Sequence, residues 1–160
     1  MTPDEVDELI DRWQAAWSSR DPDAFADLCA ANVHYEDPLT SDPLEGAAAL
    51  GRHAQMLWTA IPDARLERTG ARLTDGKFVA APCRLLGTHR DKLGPFPPTG
   101  RSVVINGVFY GELEGGRLRR VRAFFDVYTA ARELGIMPRP GSLGERALIA
   151  LRGFGVRLER

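Results

Sequence analysis

Two glycine-bearing dipeptides constrain this chain most: Asp75-Gly76, between ARLT and KFVA, and Gly115-Gly116, between YGELE and RLRRVRAFF. Each is a two-residue hairpin signal, because a tight turn requires positive φ, which glycine supplies without steric cost. Residues of alternating polarity flank both turns. The second part of the chain is therefore expected to form an antiparallel meander, with strands near 64–74, 77–89, 102–114 and 117–128. The segment RDKLGPFPPTGR between the middle strands holds too much proline to pair and is expected to be an ordered loop.

The first part reads as helix. Thr2 caps a helix that has Pro3 at its first position and Glu5 three residues after the cap, and Val6, Leu9, Ile10, Trp13 and Trp17 fall on one face. Asp21-Pro22 repeats the cap-and-proline start before Phe25 and Leu28, which predicts a short second helix. Leu50, Ala54, Leu57 and Ile61 recur at helical spacing as far as Pro62. Near the end, SLGERALIALRGFGVRL predicts another amphipathic helix, with Leu143, Ala147 and Leu151 on one face and a break near Gly153 and Gly155.

Helices first and sheet afterwards is the α+β pattern. The expected architecture is a cone-shaped, curved antiparallel sheet of four to six strands wrapped over three N-terminal helices, with an extra C-terminal helix. One domain is expected over 1–138, with 139–160 as its C-terminal helical extension. A cone open at one end is a natural ligand site.

Composition narrows the function classes. At 160 residues and 44% hydrophobic content the chain can bury a real core, and 21 basic residues nearly cancel 22 acidic ones. Nothing draws such a surface to nucleic acid or to an anionic membrane, which favours a small-molecule substrate or ligand. Cys29 and Cys83 are too few for a disulfide framework and too far apart for a zinc or redox pair. Neither a signal-peptide pattern at the N-terminus nor an apolar run of roughly 18 residues is present, so the expectation is a cytoplasmic protein. No glycine-rich phosphate loop and no Cys/His cluster occurs, so neither cofactor nor metal is expected. The basic run RLRRVR, with Arg117, Arg119, Arg120 and Arg122, reads as a solvated strand edge or a subunit contact.

The candidate site residues are carboxylates near strand ends. In VHYEDP, alternation sets Val33, Tyr35 and Asp37 on one face and His34 and Glu36 on the other. Tyr35 is the larger apolar group, so its face and Asp37 are expected to point inward. The plainer reading of Asp37 is a turn residue before Pro38, and that of Glu36 is a solvent-facing acid paired with an arginine. In RLRRVRAFFDVY, Phe124, Asp126 and Tyr128 share one face, while Val121, Ala123, Phe125 and Val127 share the other. Asp126 reads either as the cap of a following helical turn, TAARELG, or as a general base at the mouth of the cone, framed by Phe124 and Tyr128. Arg122 lies on its face and is a candidate ion-pair partner. His89, at a strand end beside the proline-rich loop, is a candidate for the mouth or a satisfied structural histidine.

The order GTHRDKLGPFPPTGRSVVINGVFYGELEGGRLRRVRAFFDVYTAARELGIMP resembles the second half of the SnoaL-like polyketide cyclases and ester cyclases, within the nuclear-transport-factor-2-like superfamily. The Gly-Thr-His step, PPTGR and the strand aspartate followed by RELG carry the likeness, which extends over roughly 5–138. It implies that Asp126 is the acid/base of an intramolecular aldol ring closure, with His89 as a helper. It also places Glu36 where the family usually has the histidine of a His-Asp-Pro. The first half, SSRDPDAFADLCAANVHYEDP, is similar to the ketosteroid isomerases, and this implies that Asp37 is a base. The tyrosine and protonated aspartate of their oxyanion hole fall at Trp13 and near Gly107 here, which argues against steroid isomerisation by that route.

These readings combine into a cofactor-free acid/base enzyme, of cyclase, isomerase or lyase type, acting on an apolar carbonyl compound. Asp126, Asp37 and His89 are the candidate catalytic residues, and Trp13, Trp17, Tyr35, Asn106, Phe124 and Tyr128 the candidate substrate contacts, with Tyr35, Tyr128 or Asn106 as donors to a developing oxyanion. The alternatives are a non-catalytic binding or dimerisation module and water activation of the epoxide-hydrolase kind. The face carrying Val121, Ala123, Phe125 and Val127 is apolar enough to predict a homodimer through the outer side of the sheet.

Overall fold

A computed structural model describes residues 1–94 and 96–152. Helix α1, Pro3–Ser19, starts as the sequence predicts: Thr2 accepts from the Glu5 amide and the Glu5 carboxylate accepts from the Thr2 amide. Its inner face carries Val6, Leu9, Ile10, Trp13 and Trp17, all buried. The predicted second helix is a single 3-10 turn, Pro22–Phe25, capped by the Asp21 side chain and too short for a helical stripe. Strands β1, Cys29–Glu36, and β2, Leu44–Glu45, precede helix α2, Ala47–Ala60. Gly51 lets α2 lie directly on the 3-10 turn, since a Cβ there would strike the Pro22 carbonyl.

The meander follows as β3, Arg65–Arg68, β4, Leu73–Thr74, β5, Phe78–Thr88, β6, Ser102–Glu114, and β7, Arg117–Phe125. Both glycine turns are where the dipeptides predict, with φ of 85° at Gly76 and 57° and 78° at Gly115 and Gly116. The first predicted strand is split in two. Between its halves the buried guanidinium of Arg72 donates to the Asp7 carbonyl, Asp11 and Gln14, fastening this edge to α1. Helices α3, Val127–Glu133, and α4, Leu143–Arg152, follow. The predicted break near Gly153 and Gly155 lies outside the described residues.

The strand order β2-β1-β7-β6-β5-β3 makes one seven-stranded sheet, with β4 also paired to β5. It is mixed rather than antiparallel throughout, because β1 runs parallel to β7, with Tyr35 beside Val121 and Glu36 beside Arg122. That pairing joins residues more than eighty positions apart, which no local turn signal records. The fold is α+β, with an open sheet whose inner face packs on α1 and α2.

The two faces of β7 are the reverse of the expectation. Val121 and Ala123 are buried and Phe125 faces the interior, whereas Phe124 is 54% exposed. Neighbouring strands explain this: Tyr35 and Gly111 flank Val121, and Phe109 sits between Ala81 and Ala123. Large aromatic groups on β1 and β6 leave space only for small residues between them. The outer face presents Phe78, Tyr110 and Phe124 instead, so Val121, Ala123, Phe125 and Val127 do not form an outer surface for a second copy.

Candidate active site

A cavity of about 140 Å³, open at one end, lies between the inner face of the sheet, α1, α2 and α3. Its walls are mostly aliphatic and aromatic, with Leu57, Leu66, Leu85, Ile105, Phe109 and Phe125 in its depth and Leu39, Met56 and Phe96 toward solvent. Four lining residues have polar side-chain atoms: Trp17, Tyr35, Asp37 and His53. No lysine or arginine among the described residues lines it.

Alternation along β1 buries Tyr35 and carries Asp37, two residues on, to the same face. A turn then forms at once: the Leu39 amide donates to Asp37 Oδ1 at 2.8 Å, and the Thr40 hydroxyl accepts from the Asp37 amide. So Asp37 is both a turn residue and a wall of the cavity. Its Oδ2 accepts from the Tyr35 hydroxyl at 2.9 Å and lies 2.6 Å from His53 Nε2. Both side chains are shielded, at 8% exposure for Asp37 and 7% for His53.

Burial tends to raise the Asp37 pKa, but the His53 hydrogen bond and charge, the Leu39 amide and the Tyr35 hydroxyl outweigh it and hold the carboxyl below its usual range. Burial and the neighbouring carboxylate push Tyr35 well above the ordinary phenol value, so it stays protonated and donates. An ionised carboxylate only accepts, which fixes the proton of His53 on Nε2 and leaves Nδ1 as the ring's basic atom. Three side chains from β1, its terminal turn and α2 thus form one hydrogen-bonded unit on the cavity wall.

The sequence alone does not single out His53 as a site residue. The signal was present, because position 53 falls three after Leu50 and four before Leu57, on the buried stripe of α2. A histidine on such a stripe needs a polar partner inside.

The other expected site residues lie elsewhere. Asp126 is exposed, closes β7 and caps α3, with its Oδ1 accepting from the Thr129 amide at 3.0 Å. That hydrogen bond lowers its pKa, opposite to the rise a buried general base would show. It does not stand at the mouth of the cone, where the base reading put it, since the reversed faces of β7 turn it outward, and the helix-cap reading is the one the structure bears out. Arg122 pairs not with Asp126 but with Glu36, through Nε and Nη2 at 3.1 Å each. His89 is fully buried yet outside the cavity wall; its Nδ1 is 3.2 Å from the Thr99 hydroxyl, and its backbone bonds Gly100 and Arg101, tying down the proline-rich loop. Trp13 is core, Asn106 and Phe124 are exposed on the sheet, and Tyr128 is half exposed beneath the Arg132 guanidinium. Only Trp17, Tyr35 and Asp37 of the predicted set meet at the cavity.

Among the described residues no group of three His, Cys, Asp or Glu side chains is placed to hold a metal ion, and no helix is long and apolar enough to cross a membrane.

The profile of the SnoaL-like polyketide cyclases matches residues 7–134. No curated protein matches the chain. Solved structures share the fold at low identity. TsrD from Streptomyces laurentii superposes with a TM-score of 0.75 at 17% identity, over 84% of this chain and 98% of its own. A candidate SnoaL-like polyketide cyclase from Jannaschia sp. CCS1 gives 0.74 at 18%, over 84% and 94%. IdmH from Streptomyces antibioticus, a candidate polyketide cyclase, gives 0.71 at 21%, over 84% and 99%.

Proposed function

Because the chain belongs to the SnoaL-like polyketide cyclase family, we propose that it is an acid/base enzyme acting on a neutral, largely apolar carbonyl compound such as a polyketide. His53 moves the proton, and Asp37 and Tyr35 hold it in position. The observation that carries this reading is the 2.6 Å contact between His53 Nε2 and Asp37 Oδ2 on the wall of an apolar cavity. Asp37 fixes the tautomer and stabilises the imidazolium that forms when Nδ1 takes a proton, the part a buried carboxylate plays beside any catalytic histidine.

The cavity wall supports the substrate class. Its few polar groups stand together at one place, so a bound molecule is held by apolar contact and reacts at a single polar end. With no cation among the described lining residues, a carboxylate or phosphate substrate has no counter-charge inside. Removal of a hydrogen next to a carbonyl, which opens an aldol ring closure or an isomerisation, fits these groups.

The test is hydrogen-for-deuterium exchange next to the carbonyl, followed by mass spectrometry on a panel of aromatic ketones and polyketide analogues in heavy water. The native protein is expected to accelerate exchange on at least one of them, and His53→Gln to lose roughly 10²- to 10⁴-fold of that acceleration. Unchanged exchange in His53→Gln would remove the histidine from the chemistry.

A further inference from the structure

The cavity is small for a polyketide. At about 140 Å³ it matches a single ring, since an apolar cavity of about 150 Å³ takes one benzene. Its back wall has little slack: the Phe125 ring lies against Gly107 of β6, where a Cβ would strike it, and meets Phe109 edge-on at 5.6 Å. A molecule of several rings therefore does not go in whole.

The apolar surface does not stop at the mouth. Leu39 from the loop after β1, Met56 from α2, Phe96 from the proline-rich loop and Val127 from the start of α3 all line the opening, and each is 40–55% exposed. Four such side chains around one opening make a patch of the kind that marks a ligand groove, unlike the single apolar residues scattered on any surface.

The reacting pair stands between these two regions. Asp37 has the buried Tyr35 two positions before it and the exposed Leu39 two positions after it, and its carboxylate accepts from both the Tyr35 hydroxyl and the Leu39 amide. One turn beyond His53 on α2 come Met56 at the mouth and Leu57 in the depth. A carbonyl held beside His53 thus has apolar wall on either side of it. The polar end of the buried portion is not where the substrate stops.

We propose that Leu39, Met56, Phe96 and Val127 form an outer subsite for a second apolar portion of the substrate, with one ring in the depth and the reacting carbonyl between the two at His53. This deepens the acid/base reading and rests on it. It narrows the ligand class to an internal ketone, with a group of about one ring on one side of the carbonyl and a chain or ring on the other. The outer portion is uncharged too, because no lysine or arginine among the described residues lines the mouth.

The experiment uses the full chain with ¹³C-labelled methyl groups and two ketones, acetophenone and valerophenone, which share the phenyl ring and the carbonyl and differ by three methylenes. Leu85 and Ile105 report the depth, and the ε-methyl of Met56, one of three methionine signals, reports the rim. Acetophenone is expected to shift the Leu85 and Ile105 methyls and leave Met56 in place. Valerophenone is expected to shift all three and to bind roughly 5- to 10-fold tighter, about 2-fold for each half-buried methylene. The double variant Met56→Gln, Phe96→Gln is expected to cut that advantage below about 2-fold. If Met56 does not respond to valerophenone, or if the advantage survives in the double variant, the outer subsite is overturned while the acid/base reading stands. If neither ketone shifts the Leu85 and Ile105 methyls, the cavity is no ketone site and both fall. The spectra of the native chain decide the matter even if the double variant does not fold.

Discussion

Strands β1 and β7 run side by side in the same direction, and each is followed at once by an aspartate, Asp37 after Glu36 and Asp126 after Phe125. The two acids end in opposite surroundings. Asp37 follows a buried Tyr35 by two positions and turns into the cavity, where a histidine, a tyrosine and an amide satisfy it. Asp126 follows the inward Phe125 by one position and turns out to solvent, where it caps a helix. A carboxylate's role is set by the parity of its strand and by who meets it, not by its being at a strand end.

The sharpest way to break this comparison is to exchange the acids for amides. Asp37→Asn is expected to lower turnover roughly 10²- to 10⁴-fold on any substrate identified by the exchange assay, because the wrong tautomer of His53 is then favoured. Asp126→Asn is expected to change it by less than about 2-fold, since the asparagine still caps α3 and touches no cavity atom. Equal losses in the two variants would show that the strand ends act alike.

Stability separates them next. Asp37→Ala strands the Tyr35 hydroxyl, the His53 Nε2 and the Leu39 amide together, and is expected to cost about 3 kcal/mol by urea unfolding. The pH dependence follows with a definite sign. Because the folded state holds the Asp37 pKa below its unfolded value of about 3.9, its contribution is present above that pH and is lost as pH falls through the lowered folded value. Asp37→Asn should therefore unfold with a shallower acid limb than the native chain in circular dichroism titrations below about pH 4. An identical limb would mean that the carboxylate gains nothing from its partners.

The same comparison explains what the sequence made legible. The hairpin turns, the capping box on α1 and the inward face of β1 depend on residues within a few positions of one another, and all three were readable. The orientation of β7 was not, because both of its faces carry apolar residues, and the choice was made by Tyr35 and Phe109 on neighbouring strands. Phe124 and Tyr128, expected to frame the mouth of the cone, lie outside it, because the inner face takes Val121, Ala123 and Phe125 instead. His53 escaped notice for a different reason. It sits on a plainly apolar helical stripe, but its partner lies sixteen residues back and across a loop. The imidazole beside Asp37 comes from α2 rather than from β1.

Capping gives a smaller contrast. Asp126→Ala removes the acceptor for the Thr129 amide and is expected to lower the urea midpoint slightly, with turnover retained. A loss of activity without loss of stability would return Asp126 to the chemistry.

The smallest effect tests how the two strand ends are joined. One residue before Asp37, Glu36 faces the other way and grips Arg122 of β7 through two hydrogen bonds, just ahead of both aspartates. The pair is solvent-exposed, with side-chain exposures of 30% and 50%, so water and salt screen most of its attraction. Glu36→Gln is expected to cost only about 0.5 kcal/mol, less at high salt, and to leave exchange activity intact, as measured by unfolding at two ionic strengths. Consecutive acids in one motif are thus expected to differ by about 2.5 kcal/mol in consequence. A larger loss would mean that the parallel pairing of β1 and β7, and with it the inward turn of Asp37, depends on this surface clasp rather than on the packing of Tyr35 and Val121.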